Sequence, residues 1–155
     1  MTGKNIDYIA SKHAQTLIRN VSDYRDVMTT STKILGVLTE DGIYAALLYV
    51  FATVKDSIRP EFVYGTLSSL GDVRLLAGSR LAEDYRDKCS KLEKAKKEKS
   101  KEDIRRLNNE IHDLQDEILK AISDITNDLN KTLLARLVLE RFLTYVRYHA
   151  KAKGG

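Results

Sequence analysis

Between Ile104 and Ile125 the residues Ile104, Leu107, Ile111, Leu114, Ile118, Ala121 and Ile125 recur at alternating steps of three and four. On a helix that spacing makes one apolar seam, and a seam is stable in water only when another helix covers it. The preceding segment supplies a weaker cover, with Leu81, Tyr85, Cys89, Leu92 and Ala95 at helical steps. Between the two lies Lys94-Ala95-Lys96-Lys97-Glu98-Lys99-Ser100-Lys101, too polar to be buried and placed as a hairpin tip. Residues from about 80 to 130 are therefore expected to fold as an antiparallel pair of helices projecting from the body, each arm of about 25 residues and about 35 to 40 Å long. Such a device holds and bridges.

The remaining segments read as helices too. Ile6, Ile9, Ala10, His13, Leu17, Val21 and Tyr24 give an amphipathic helix over about 5 to 23, with Lys12 and Arg19 on its outer face and His13 turned inward as a packed, locally hydrogen-bonded histidine. A second helix is expected from Tyr24 to Leu38, where Thr29-Thr30-Ser31-Thr32 leaves room for a break. Thr39-Glu40-Asp41-Gly42 reads as a turn with capping residues. It opens a central core helix from Ile43 to about Ser57 that is apolar nearly all round. Pro60 suits the first turn of the next helix, which runs through Phe62, Val63, Leu67 and Leu70 to stop at Gly71, leaving Asp72 to cap the hairpin. The last helix, about 131 to 151, clusters Leu134, Val138, Phe142, Tyr145 and Val146 on one side. Arg136, Arg147 and Lys151 fall within about 60° of one another on the other, with Glu140 between them. The expected fold is all-α, one domain over 1–155: a compact helical bundle with a long antiparallel helical hairpin.

Several function classes are disfavoured. The run Ile43 to Val54 falls well short of the ~20 residues that span a bilayer, so no membrane association is expected. Met1-Thr2-Gly3-Lys4-Asn5 carries no secretory pattern, and the single Cys89 has no internal disulfide partner, which fits a reducing cytoplasm. His13, His112 and His149 lie far apart, so no metal and no cofactor is expected. Single glycines at Gly36, Gly42, Gly65, Gly71 and Gly78 make no phosphate loop, and Glu83 with Asp84, or Asp116 with Glu117, read as solvated salt-bridging pairs. No enzyme activity is expected. The terminal Lys153-Gly154-Gly155 reads as a frayed end, since a ubiquitin-like tail belongs to a β fold.

A net charge of +4 allows a polyanionic partner. Tyr145 and Tyr148, near Arg141 and Arg147, either stack on bases or line the core with their hydroxyls outward; Tyr145 points with Phe142 and favours the core, while Tyr148 stays open. The lysine tip carries Glu93, Glu98, Glu102 and Asp103, which offset its charge, so it reads as a solubilising tip.

Two stretches carry a family resemblance. Lys33-Ile34-Leu35-Gly36-Val37-Leu38-Thr39-Glu40-Asp41-Gly42-Ile43-Tyr44-Ala45-Ala46-Leu47-Leu48-Tyr49-Val50-Phe51-Ala52, followed by Lys55, resembles the core of the small α-helical subunit of type III-B CRISPR effector complexes, the Cmr family. Leu139-Glu140-Arg141-Phe142-Leu143-Thr144-Tyr145-Val146-Arg147-Tyr148-His149-Ala150 is similar to that family's closing helix, where aromatic and basic residues alternate. With the first helix these pieces cover roughly half of the chain. Tyr145 stands where the family often has Trp, Tyr148 stands where a second basic residue is expected, and the hairpin is longer than the usual connection.

The resemblance implies a non-catalytic subunit of an antiviral, RNA-guided complex, stacked with copies of itself beside other effector subunits and touching guide RNA and target RNA through basic helix faces. RNA cleavage in that family belongs to a different subunit. Matching those faces to this chain names Lys12, Arg19, Lys55, Arg136, Arg141, Arg147 and Lys151 as phosphate contacts. The rival is a helical protein-protein adaptor with no direct nucleic-acid contact, whose charges serve solubility.

Overall fold

The structure, a computed structural model, describes residues 5–76 and 80–155; the opening Met1 to Lys4 and Gly78 lie outside that range. Among the described residues there are seven helices and no strand: α1 Ile6–Arg19, α2 Tyr24–Asp41, α3 Ile43–Thr53, α4 Arg59–Asp72, α5 Leu81–Lys97, α6 Lys101–Thr126 and α7 Leu129–Ala152. The fold is an all-α compact bundle.

Helix boundaries follow local chemistry. The Asn5 side chain accepts the Asp7 amide at 2.7 Å to start α1, Asp23 accepts the Asp26 amide at 3.0 Å to start α2, and Asp128 accepts the Lys131 amide at 3.0 Å to start α7. Pro60 sits in the first turn of α4, where its missing N–H is no loss. The expected turn at Thr39–Gly42 shrinks to one residue: Thr39, Glu40 and Asp41 continue α2, and Gly42 alone, at φ 95°, breaks the chain in the left-handed region before α3. No side chain caps that junction. The Thr29–Thr32 stretch does not break α2, because Ser31 and Thr32 both turn their hydroxyls onto the Met28 carbonyl, each at 2.9 Å.

The core is built around α7. One side of it, with Ala135, Val138, Leu139, Phe142, Leu143, Val146 and Ala150, is buried against α1, α2 and α4. Those helices present Ile9, Ala10, Ala14 and Leu17; Val27, Ile34 and Leu38; and Phe62, Val63, Leu67 and Leu70. Each large side chain so buried contributes about 1.5–3 kcal/mol of transfer free energy. Alanines at 10, 14, 135 and 150 and Gly65 keep the helices close. Polar groups inside are satisfied: Ser69 donates to the Gly65 carbonyl at 2.7 Å, and His13 meets the Asp72 carboxylate at 2.8 Å. That histidine is packed as expected, but its partner is 59 residues away rather than local.

Two expectations about the core change. Helix α3 is not a central buried helix: Ile43, Ala46, Leu47 and Val50 face inward while Tyr44 and Leu48 face solvent. Asp72 does not cap α5; it ends α4 and holds His13 and Lys12, while α5 begins at Arg80 without a side-chain cap.

Helices α5 and α6 meet antiparallel across the turn at Glu98–Ser100, in which Lys99 takes a φ of 57°. Lys88 reaches Glu110 at 2.5 Å, and Gln115 donates to the Tyr85 hydroxyl at 3.2 Å, fixing the register. The arms are unequal, 17 and 26 residues, or about 25 and 39 Å. They also lean on the body. Helix α5 packs on α4, the root of α6 packs on α3 and α7, and Lys96 near the tip lies 3.7 Å from Asp56 in the α3–α4 connection. The buried stripe of α6 passes through Leu107, Ile111, Ile118, Ile122 and Ile125, so Ile122 replaces Ala121 in the seam. A straight helix drifts by about 20° per heptad relative to a seven-residue repeat, and its lower half is covered by the body rather than by α5.

At the other end Lys153-Gly154-Gly155 is not frayed. The Gly154 amide reaches the Lys151 carbonyl and the Gly155 amide the Ala150 carbonyl, both at 3.0 Å, closing α7.

Candidate nucleic-acid interface

The flanks of α7 are marked by two contacts. On one, the Arg136 guanidinium donates to the Thr39 carbonyl at 2.5 Å and to Glu140 at 3.3 Å, tying α7 to the end of α2. On the other, the Tyr145 hydroxyl donates to the Asp7 carboxylate at 2.9 Å and Arg141 pairs with the same oxygen, tying α7 to the start of α1. Tyr145 first and Arg141 second hold the Asp7 carboxyl below its ordinary value; that carboxylate in turn raises both Arg141 and Tyr145. Tyr145 is thus half-buried with its hydroxyl in use.

The outward strip of α7 lies between these flanks. Its C-terminal half shows Tyr148, exposed, with the Arg147 guanidinium 5.9 Å from its ring centroid, and Lys151 one turn on from Arg147. Neither Arg147 nor Lys151 has a carboxylate partner among the described residues.

The other expected contacts are spent differently. Lys12 is half-buried rather than outward, 3.7 Å from Asp72. Lys55 pairs with Asp26 and lies 3.9 Å from Asp23; the Asp26 bond raises it and lowers Asp26. Arg19 is exposed and donates to Thr16 at 3.3 Å. The seven cations therefore do not share one surface. Lys12, Lys55 and Arg141 join helix to helix, Arg136 straps α7 to α2, and Arg19, Arg147 and Lys151 remain without a carboxylate.

The structure adds two cations to the last group. Helix α2 runs antiparallel to α7, since Thr39 meets Arg136 while a side chain on Gly155 would stand 2.7 Å from the Tyr24 carbonyl oxygen. Arg25 and Lys33 are exposed on α2 without carboxylate partners among the described residues, and Thr29, Thr32 and Gly36 leave the surface near them low. Sequence reasoning missed them because it weighted the closing helix. The signal was present, as Arg25, Thr29, Thr32, Lys33 and Gly36 fall on one face at 100° per residue, an arc of about 100°.

No other part of the surface gathers reactive groups. A cleft of about 1020 Å³ between the α3–α4 connection, α5 and α6 contains Glu61, Tyr64, Arg86, Cys89 and His112. Its charges are internally matched: Arg86 lies 4.0 Å over the Tyr64 ring and 3.8 Å from Glu61, whose carboxyl is raised by burial. Burial pushes the Cys89 thiol up to about 11 and the Tyr85 hydroxyl up to about 12, so neither is an activated nucleophile near neutrality. Among the described residues no three His, Cys, Asp or Glu side chains group to hold a metal ion, and no helix is long and apolar enough to cross a membrane. No protein-family model, no curated protein and no solved structure matches the chain.

Proposed function

We propose that this chain is a non-catalytic small subunit of a type III, Cmr-like CRISPR effector complex, cytoplasmic and antiviral, which stacks in copies along a guide RNA filament and touches the guide–target duplex. The observation that carries this reading is the α2–α7 surface. Arg25, Lys33, Arg147 and Lys151 are exposed cations without carboxylate partners on two antiparallel helices, beside the exposed ring of Tyr148. Cations not engaged by the protein are the ones that phosphates can use without breaking the fold. The family resemblance of residues 33–52 and 139–150 supplies the biological setting.

The test is charge reversal of Arg147 and Lys151 to Glu in the reassembled complex. Both positions are exposed, so helicity holds. Affinity for guide–target RNA falls for all sequences alike, and the salt slope flattens by about 0.7 to 0.9 log units for each phosphate no longer neutralised. Unchanged affinity and slope would refute the RNA role and favour the second reading, a helical adaptor that binds protein alone. One observation supports that alternative: solvent-exposed leucines line the N-terminal half of α7.

A further inference from the structure

Those leucines form a ridge. Leu129, Leu133 and Leu137 are 73%, 57% and 43% exposed and follow one another at steps of four along α7. Helix α3 carries a second ridge of the same step, Tyr44, Leu48 and Ala52, with Tyr44 42% and Leu48 48% exposed. Side chains at steps of four form ridges that pack into the grooves of a helix bearing the same step, at a crossing angle of about −50°. The two ridges match in length, and within one chain neither covers the other.

The charges at their ends match as well. The α3 ridge is preceded by Glu40 and Asp41, both exposed and without cationic partners among the described residues, and followed by Lys55. The α7 ridge is preceded by Asp124 and Asp128 and followed by Arg141, with Arg136 at its margin. Both ridges run from negative to positive. Laid parallel, like charges meet; laid antiparallel, Glu40 faces the Arg141 end and Lys55 faces Asp124 and Asp128. A chain that carries both halves of a complementary contact offers each half to another copy.

We infer that the α3 ridge of one copy docks antiparallel on the α7 ridge of the next, with Tyr44 against Leu137, Leu48 against Leu133 and Ala52 against Leu129. The occupant is a second copy of this chain. The inference rests on the proposed stacking of copies and is independent of whether RNA is bound.

Cross-linking of the isolated protein tests it. In a Cys89→Ala background, which removes the one native thiol, Leu48→Cys and Leu133→Cys proteins are mixed under mild oxidation. A disulfide joining the two kinds of chain is expected, and it disappears when Leu137→Asp is added to the second protein, with helicity by circular dichroism unchanged. Preferential Leu133–Leu133 bridging would overturn the inference in favour of α7 pairing with itself. Absence of the mixed disulfide while light scattering shows association would overturn the ridge and leave stacking standing. A monomer at every concentration, with no cross-link, would overturn both.

Discussion

A methyl group on Gly65 would stand 2.4 Å from Cζ of the Phe142 ring. Helix α4 crosses α7 at this point, and the ring is wholly buried. A Cβ at that distance forces a buried aromatic out of its place. Gly65→Ala is expected to destabilise the protein by about 1–3 kcal/mol, and Phe142→Leu in the same chain to recover part of the loss, as the two sites are in contact. Urea titrations of the single and double variants check this; equal stability of Gly65→Ala and the parent would refute it.

Gly36 is the contrasting case. It lies inside α2, and a Cβ built there meets nothing within 4 Å. Gly36→Ala therefore gains helix propensity at no steric cost and should stabilise by about 0.5–1 kcal/mol. A lowered melting temperature for this variant would show that the surface of α2 is more crowded than its geometry indicates.

Asp7 sets an acid limit on the docking of α1. Its carboxyl is held below the ordinary 3.8 by the Tyr145 hydroxyl and Arg141. Since the folded value is the lower one, its contribution to stability is complete above 3.8 and disappears as pH falls through the folded value. Tyr145→Phe removes the larger cause and should move the Asp7 titration upward, towards 3.8, in a carboxyl-resolved NMR titration. No movement would mean that Arg141 alone holds the carboxylate.

Cys89 should be slow to modify. With the thiol near 11 rather than 9.0, its thiolate fraction at pH 8 is about a hundredfold lower than that of a free cysteine. Its reaction with a disulfide reagent should be slower by about that factor, and Gln115→Ala, which removes the donor to Tyr85, should leave the helices intact. A rate equal to that of the unfolded chain in urea would refute the buried state of this thiol.

The helices themselves were legible because each is written in local chemistry. The period of apolar residues, Pro60 in a first turn and the lysine-rich tip identify the helical segments and the hairpin turn without reference to the rest of the chain. Candidate cations were legible only as types. Lys12, Lys55 and Arg141 look like Arg147 and Lys151 in sequence, and what separates them is the presence of Asp72, Asp26 and Asp7, contributed by other helices. Helix α3 went the same way: its uninterrupted apolar run implied a buried core helix, yet one face found no neighbour.

By itself, then, the sequence determined the all-α class and the approximate extent of its helices, because periodicity, capping and turn chemistry act over a few residues. Tertiary structure alone decided which face of α3 is covered, that Gly65 is filled by Phe142 while Gly36 is open, and which cations remain free. Those outcomes depend on groups brought together from 29 to 134 residues apart, a separation at which no local spacing rule carries information.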